Sequence, residues 1–382
     1  MSLDRTKLCH KLKVAKRIQE TADTVSLALE VPSALQEKFK YRAGQFITFF
    51  LDVKRAGKDE EIHRSYSLAS SPDYDQDFKI AVKAVEGGLG SNFLAKKIKE
   101  GDEVWVTPPA GLFCLPAHVE AKKIAFFAAG SGITPIISLI KTTLKTTKID
   151  CALFYQNREE KTIIFYDELR RLALEFGPRF SVSFILSEPA KSWSGLKGMT
   201  AKSDVKEFFA RTATGPQSLH FICGPQGYMQ AVSDALKDLG VDKKNIMIES
   251  FAASTPKADS KTSSTSEKSS ANNVPALGGD EIWIGEKNLR STPEMIEAVI
   301  DGKTHEIAAR EGATILETLL EAGLNPPYSC MDGACMACMA KLDSGLAYQK
   351  ELGILAEENV EAGECLTCQA RPASAKVRIT YG

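Results

Sequence analysis

The cysteines near the carboxyl end of the chain are the residues whose type and spacing most clearly indicate chemistry. Cys330, Cys335 and Cys338 lie within a short stretch of small residues, and Cys365 and Cys368 follow further along. The chain holds nine cysteines, and its charged start lacks the apolar run of a secretory signal. We therefore expect a cytoplasmic protein with reduced thiols. Thiols concentrated in this way favour a metal or cluster site over a disulfide framework.

The spacing C-x4-C-x2-C with a distant fourth cysteine is the pattern of plant-type [2Fe–2S] ferredoxins. Three thiolates from one tight loop and one from a remote segment converge on two irons. We predict Cys368 rather than Cys365 as the fourth ligand, because Cys368 lies nearer the strand-like segment 375–381. Structural zinc is the alternative, since Cys365 and Cys368 form a second short pair. Cys9, Cys114 and Cys151 are predicted to be buried small hydrophobes.

Composition divides the chain into separate parts. Residues 252–279 are rich in Ser, Thr, Ala and Lys and are predicted to be a flexible linker. Residues 1–118 show strand-like stretches broken by turn signals, which predicts an antiparallel β-barrel. Residues 119–251 alternate between strand and helix patterns, which predicts a doubly wound parallel sheet. Residues 280–382 form the last predicted domain, with a hairpin turning at Asp301 and Gly302 and a helix ended by Gly323.

Charge and hydropathy narrow the classes of partner. The formal net charge is −1, although residues 281–382 hold 16 acidic and 9 basic residues. No apolar run approaches the ~20 residues that a membrane helix needs. We therefore predict no nucleic-acid partner and no membrane span.

Four further motifs indicate nucleotide chemistry. The sequence GSGITP, residues 130–135, lies between a predicted strand and a predicted helix, where phosphates bind at the carboxyl end of a parallel strand. The sequence GGLGSN, residues 87–92, opens a short predicted helix whose first N–H groups suit a pyrophosphate. That fit favours FAD over FMN. The sequences RSYS, residues 64–67, and CGPQGYM, residues 223–229, complete the set.

Together these motifs resemble known families over nearly the whole chain apart from the linker. The tail resembles plant-type ferredoxins, and residues 1–251 resemble the ferredoxin–NADP reductase family. In this order the chain resembles the reductase components of phenylacetyl-CoA epoxidase-type oxygenase systems, with the reductases of ring-hydroxylating oxygenases and steroid hydroxylases as close relatives. The resemblance implies a barrel for flavin, a parallel-sheet domain for NAD(P)H and an α+β domain of the β-grasp type for the cluster.

The flavin residues follow from the resemblance. It implies that Arg64 contacts the flavin phosphate, that Tyr66 packs on the ring system and that Ser67 donates a hydrogen bond towards N5. The complete predicted flavin set is Arg64, Ser65, Tyr66, Ser67, Leu68, Lys83, Val85, Gly88, Gly90, Ser91 and Asn92.

The nicotinamide residues follow in the same way. The resemblance implies that Cys223 lies beside the nicotinamide C4, that Glu249 takes the family's acid position and that Phe251 shields the flavin ring. With Ser67, the residues Cys223 and Glu249 are the predicted catalytic groups. The predicted nucleotide set is Gly130, Gly132, Thr134, Arg158, Ser187, Gly224, Pro225 and Phe251.

The choice between NADPH and NADH depends on the segment after the second strand of the nucleotide domain. Arg158 lies there and suits a 2′-phosphate. Glu188 would repel that phosphate, and Lys191 would compensate. We predict NADPH and leave NADH as the alternative.

The resemblance also implies the reaction. Electrons pass from NAD(P)H through FAD and the [2Fe–2S] cluster to an oxygenase. The cofactors supply this chemistry, and the protein sets their geometry. Two alternatives remain. One is a reductase that serves another dioxygenase or hydroxylase, and the other is a zinc-stabilised binding module with a vestigial flavin fold.

Overall fold

The computed structural model describes residues 5–55, 57–116, 119, 121–251, 281–328, 331, 333, 336–350, 355 and 357–381. The chain divides into two compact units, one within residues 2–252 and the other within residues 253–382. The predicted linker, residues 252–279, lies outside the described residues.

An antiparallel sheet forms the first part of the amino-terminal unit. Its strands are β1 (His10–Thr21), β2 (Thr24–Glu30), β3 (Phe46–Arg55), β4 (Lys58–Ser67), β5 (Phe78–Lys83) and β6 (Glu103–Val106). They lie in the order β4-β3-β6-β1-β2-β5. Helix α1 (Arg5–Leu8) precedes the sheet, and helix α2 (Leu89–Lys96) follows β5. Apolar side chains such as Phe49, Ile80 and Leu94 fill the interior, as expected for a sheet that curls around one core.

A parallel sheet forms the second part of this unit. Strands and helices alternate as β7 (Lys123–Ala129), α3 (Ile133–Thr146), β8 (Asp150–Asn157), α4 (Tyr166–Phe176), β9 (Phe180–Leu186), β10 (Leu196–Lys197), α5 (Lys202–Thr212), β11 (Leu219–Cys223), α6 (Gln226–Asp238) and β12 (Ile246–Glu249). The strand order β10-β9-β8-β7-β11-β12 reverses direction at β7. Ligands bind beyond the carboxyl ends of the strands at such a reversal.

The two parts of the amino-terminal unit share one core. Ala43, Ala69 and Phe113 of the first part belong to the same buried cluster as Phe126 and Ile136 of the second. This shared burial fixes the end of β4 relative to the ends of β7 and β11, where the predicted site residues lie.

The carboxyl-terminal unit combines sheets and short helices. Its elements are β13 (Glu281–Gly285), β14 (Met295–Ile300), β15 (Lys303–Ala308), α7 (Ile315–Glu321), β16 (Met339–Ser344), β17 (Leu346–Lys350), α8 (Glu357–Glu361), β18 (Glu364–Leu366), β19 (Arg371–Pro372) and β20 (Lys376–Thr380). One sheet has the order β15-β14-β20-β16-β18, and the other has the order β13-β17-β19. Helix α7 buries Ile315 and Leu319 in the core of this unit.

Local sequence signals account for two features of this unit. Asp301 and Gly302 both have positive φ, 49° and 72°, as a two-residue type I′ turn requires. Thr314 accepts a hydrogen bond from the Glu317 N–H at 3.2 Å, and the Glu317 carboxylate accepts one from the Thr314 N–H at 2.8 Å. This capping box starts α7, and Gly323, with φ 77°, follows its end. The predicted hairpin and helix are confirmed.

The predicted fold class is confirmed in all three parts. Among the described residues, no helix has the length and apolar character to cross a membrane.

Candidate functional site

Arg64 and the start of α2 lie side by side, as the predicted flavin site requires. Arg64 belongs to β4, and its guanidinium donates to the His63 carbonyl at 2.6 Å. A Cβ added to Gly90 would lie 2.7 Å from Arg64 Cγ. Only a glycine therefore lets the first turn of α2 approach this arginine. The resulting cradle presents a guanidinium and helix N–H groups together, which suits a pyrophosphate.

Side chains fix the backbone that leads into α2. Asn92 donates to the carbonyls of Val85 at 2.7 Å and Gly88 at 2.6 Å. The Ser91 hydroxyl accepts from the Val85 N–H at 3.3 Å. These residues therefore hold the loop in shape, and the Val85 side chain remains exposed.

The other predicted flavin residues follow β4 and β5. Tyr66 packs edge to face against Phe49 with 5.7 Å between ring centroids. The Ser65 hydroxyl lies 2.8 Å from the Thr48 hydroxyl, and Lys83 lies 3.6 Å from the Asp23 carboxylate. Leu68 is fully buried, so its side chain supports the site from the core.

The predicted catalytic residues lie together where β4, β11 and β12 end. The Ser67 hydroxyl donates to the Glu249 carboxylate at 3.5 Å. Cys223 is paired in register with Glu249 across β11 and β12. Residues separated by 182 positions along the chain thus meet at one point of the amino-terminal unit.

Burial controls the protonation of this group. Desolvation raises the pKa of Glu249 to about 8, against a smaller opposing effect of the Ser67 hydroxyl. Desolvation, followed by the charge of Glu249, raises the pKa of the Cys223 thiol well above its usual value. At neutral pH the site therefore holds a protonated carboxyl group and a neutral thiol, and Cys223 is not a thiolate nucleophile.

The two glycine-containing loops after β7 and β11 touch each other. A Cβ added to Gly132 would lie 2.1 Å from the Cys223 carbonyl oxygen, and one added to Gly224 would lie 2.9 Å from Ala129 Cβ. Tyr155 donates to the Gly130 carbonyl at 2.9 Å from the neighbouring strand β8. The loops therefore form one tight edge at the strand reversal.

The remaining nicotinamide residues surround this edge. Thr134 is buried, and its hydroxyl donates to the Ser131 carbonyl at 3.0 Å. Pro225 directly precedes the first residue of α6. Phe251 is 42% exposed, which leaves its ring accessible at the end of the described segment.

Arg158 lies just after β8 with its side chain 61% exposed and 3.7 Å from the Glu159 carboxylate. Backbone hydrogen bonds join this turn to the segment after β9. The Ser187 N–H donates to the Asn157 carbonyl at 3.0 Å, and the Glu188 N–H donates to the Arg158 carbonyl at 2.7 Å. Arg158 and Glu188 are thus neighbours, so a cation and an anion both border the predicted 2′-phosphate position.

The cysteine site is described in part. Cys330 and Cys335 lie outside the described residues. The sulfurs of Cys338 and Cys368 lie 3.2 Å apart, farther than the ~2.05 Å of a disulfide bond. Two sulfurs at this distance fit side chains that converge on a shared group. Cys365 is fully buried in the apolar core of the unit.

Sequence reasoning missed two polar residues at these sites. Tyr155 lies inside an apolar strand pattern, so nothing indicated its bond to Gly130. The Gln369 amide donates to the Cys368 sulfur at 3.6 Å and to the Met331 carbonyl at 3.1 Å. The position of Gln369, directly after the predicted ligand Cys368, was the signal that the sequence offered for this contact.

Comparison with known families matches all three parts. An oxidoreductase FAD-binding domain model matches residues 11–114, and an oxidoreductase NAD-binding domain model matches residues 126–234. A 2Fe-2S iron-sulfur cluster binding domain model matches residues 298–373.

Whole proteins of known function match nearly the full length of the chain. The chain is 33% identical over 370 residues to the ferredoxin reductase component of 3-ketosteroid-9-alpha-monooxygenase from Rhodococcus rhodochrous, covering 97% of this chain and 96% of that protein. It is 30% identical over 376 residues to a component of the 1,2-phenylacetyl-CoA epoxidase from Escherichia coli K12, covering 97% of each. The solved phthalate dioxygenase reductase has the same fold, with a TM-score of 0.57, 23% identity and full coverage of both chains.

The chain belongs to the family of ferredoxin–NADP reductase-type oxygenase reductases that are fused to a [2Fe–2S] ferredoxin domain. It is an electron-transfer oxidoreductase, and its cofactors are FAD, NAD(P)H and a [2Fe–2S] cluster. The residues present fit these groups: Arg64 and α2 form the cradle, and Cys338 and Cys368 converge.

Proposed function

We propose that this protein passes electrons from NADPH through FAD and the cluster to the oxygenase component of a phenylacetyl-CoA epoxidase-type system in the cytoplasm. The observation that carries the electron-transfer part of this proposal is the meeting of Ser67, Cys223 and Glu249 at the strand reversal. We infer that the nicotinamide and flavin rings would meet at this place. FAD, when bound, takes two electrons together from NADPH and releases them one at a time.

The chain's own residues prepare the site for hydride transfer. Glu249 keeps a proton on its carboxyl group below pH about 8, so it adds no negative charge beside the nicotinamide. Ser67 holds a hydroxyl group at the end of β4, where the edge of the flavin ring would lie. Cys223 places a neutral buried sulfur at the end of β11, near where the nicotinamide ring would lie. Arg64 and the α2 N–H groups would hold the pyrophosphate, and Phe251 would cover the flavin ring system in the absence of the nicotinamide.

We propose Cys330, Cys335, Cys338 and Cys368 as the cluster ligands. The 3.2 Å separation of the Cys338 and Cys368 sulfurs supports this set. The match to a 2Fe-2S domain favours an iron–sulfur cluster over structural zinc.

NADPH is the proposed reductant because Arg158 is exposed at the end of β8. Its guanidinium pairs with a 2′-phosphate better than with a ribose hydroxyl. Arg158→Ala should therefore raise the KM for NADPH and leave the KM for NADH nearly unchanged, as measured with ferricyanide as acceptor. An unchanged ratio of kcat/KM for the two coenzymes would remove Arg158 from the site.

Another oxygenase is the second candidate for the electron acceptor. The higher identity to the steroid monooxygenase reductase, 33% against 30%, favours an acceptor of that kind. Ring-hydroxylating dioxygenases are a further class. Purified oxygenase components of each class should be compared as acceptors at equal concentration. The proposal expects the fastest coupled NADPH oxidation with the epoxidase-type component, and a faster rate with another class would reassign the partner.

A further inference from the structure

The carboxyl-terminal unit contains a pocket of about 590 Å³ that none of the proposed cofactor residues lines. Strands β13, β17 and β19 align three of its side chains. Trp283 is paired in register with Tyr348, and Tyr348 is paired with Arg371. Register partners carry their side chains on the same face of a sheet, so the three form one row. The two rings stack with centroids 5.3 Å apart.

Arginines give this pocket a positive charge. The Arg290 guanidinium lies 5.0 Å from the centroid of the Trp283 ring. Arg371 donates to the carbonyls of Gly312 and Gln369 at 3.2 and 3.3 Å. Within the part of the chain that the structure describes, neither Arg290 nor Arg371 makes an ion pair, whereas Arg310 pairs with Glu321.

The charge of the pocket contrasts with that of its surroundings. Glu311 is the acidic residue in its lining, beside Arg290, Arg310 and Arg371. Residues 281–382 as a whole hold 16 acidic and 9 basic residues. A cationic, aromatic pocket within an acidic domain is suited to select an anionic partner.

The pocket and a proposed cluster ligand belong to the same short segment. Arg371 follows Cys368 by three positions. The segment is tied to the start of α7, because Ile315 donates to the Ala370 carbonyl at 2.8 Å and Leu316 donates to the Thr367 carbonyl at 2.9 Å. The 2Fe-2S domain model covers residues 298–373. Trp283 and Arg290 precede the matched range, so the pocket also depends on residues before it.

We propose that this pocket docks an acidic segment of the electron-accepting protein, with its carboxylates on Arg290 and Arg371 and an apolar side chain against Trp283 and Tyr348. The inference rests on the proposed function, since an acceptor must approach the part of the domain that carries Cys368. Aromatic residues and arginine are the types that dominate binding energy at protein interfaces. Guanidinium groups recognise carboxylates in a bidentate geometry.

A peptide probe tests this docking without electron transfer. The cofactor-loaded full chain is titrated into a fluorescein-labelled peptide of alternating leucine and aspartate, and fluorescence anisotropy is measured. A leucine–lysine peptide of equal length is the control probe. The aspartate peptide should bind, and its binding should weaken as salt rises, because salt screens exposed charges.

Arg290→Gln and Arg371→Gln should each weaken binding of the aspartate peptide about tenfold. Lys303→Gln, an equal loss of charge on the β14–β15 hairpin, should leave binding unchanged.

Several results would overturn the proposal. These are equal binding of the lysine peptide, unchanged binding by both arginine variants, and full displacement of the peptide by inorganic phosphate at matched ionic strength, which would assign a small-anion site instead. If Arg371→Gln does not fold, Arg290→Gln tests the proposal by itself, because Arg290 is exposed between elements. NADPH-dependent ferricyanide reduction, measured on the same samples, tests the reductase function separately.

Discussion

Glu249 is the residue whose environment most strongly controls the chemistry of the site. Its pKa of about 8 lies above the ordinary value of 4.5 because burial penalises the ionised form. Between these two pH values the unfolded chain releases this proton while the folded chain retains it. The contribution of Glu249 to stability therefore falls as pH rises from about 4.5 to about 8 and changes no further above that range.

Glu249→Gln should remove this pH dependence. The thermal midpoint of the variant relative to the original protein should increase as pH rises through the same window. Differential scanning fluorimetry across pH measures this difference. Glu207→Gln, at an exposed position of α5, is the matched control for the loss of one carboxyl group. A Glu249→Gln difference that is constant with pH would mean that folding does not shift the pKa of Glu249.

Gln369 should tune the cluster, because its amide donates to the Cys368 sulfur. Hydrogen bonds to cluster sulfurs stabilise the reduced form and raise the reduction potential. Gln369→Leu removes one bond of about 1 kcal/mol, which lowers a one-electron potential by roughly 40 mV. Spectroelectrochemistry at the cluster bands measures the shift. An unchanged potential in a variant that retains its full cluster content would show that this bond does not act on the cluster.

Single residues were predictable where a motif fixes the backbone. A Cβ added to Gly90 would clash with Arg64, and one added to Gly132 would clash with the Cys223 carbonyl. Because these close contacts require glycine, the motifs that contain the two glycines were recognisable in the sequence. The pKa of Glu249 was not predictable, because it depends on burial by residues from distant elements. The same holds for the bond between Gln369 and Cys368, which the geometry of the folded loop determines.

At the scale of elements, Lys141 joins the antiparallel and parallel parts of the amino-terminal unit. It belongs to α3 and is fully buried, and its ammonium group lies 2.6 Å from Glu168 of α4 and 2.8 Å from Asp75 of the β4–β5 connection. Burial alone would raise the pKa of Glu168, but the charges of Lys141 and then Lys79 outweigh it and lower that pKa. The network therefore holds the flavin part against the nucleotide part.

Lys141→Met should destabilise the protein by about 3 kcal/mol, the lower end of the cost of breaking a buried pair, because the partly buried carboxylates of Asp75 and Glu168 lose the buried ammonium group and Glu168 retains its pair with Lys79. Lys202→Met removes the exposed pair of Lys202 with Asp238, at 3.0 Å, and should change stability little, because solvent screens an exposed ion pair. Urea unfolding followed by flavin fluorescence measures both. Equal costs for the two variants would mean that Lys141 contributes no more than a surface ion pair.

Elements were predictable from sequence where local signals are strong. The turn at Asp301 and Gly302 and the capping box of α7 are encoded within a few residues, and the alternating strands and helices from β7 to α4 carry clear periodicity. Strands β10 and β13 and helix α5 were not predicted. Strand β13 is short, and it is stabilised by pairing with β17, a segment far away in sequence. The burial of Lys141 was not predictable either, because a lysine in a helix is usually exposed.

At the scale of the whole molecule, the proposed flavin residues and cluster ligands lie in different compact units. Loss of the cluster should therefore spare the flavin. Cys338→Ser should retain NADPH-dependent reduction of ferricyanide and lose reduction of cytochrome c. Cys365→Ser should retain both activities, because Cys365 is packed in the apolar core. Equal loss of both activities in Cys338→Ser would contradict a modular chain.

The most direct measurement of the central claim is an anaerobic NADPH titration of the cofactor-loaded chain, followed by visible absorption and electron paramagnetic resonance. We expect electrons to pass from NADPH through FAD to a [2Fe–2S] cluster held by Cys330, Cys335, Cys338 and Cys368. The original protein should bleach at the flavin bands and develop the signal of a reduced [2Fe–2S] cluster. Cys338→Ser should bleach at the flavin bands without that signal. A chain that contains iron and sulfide but shows flavin bleaching without any cluster signal would contradict the account.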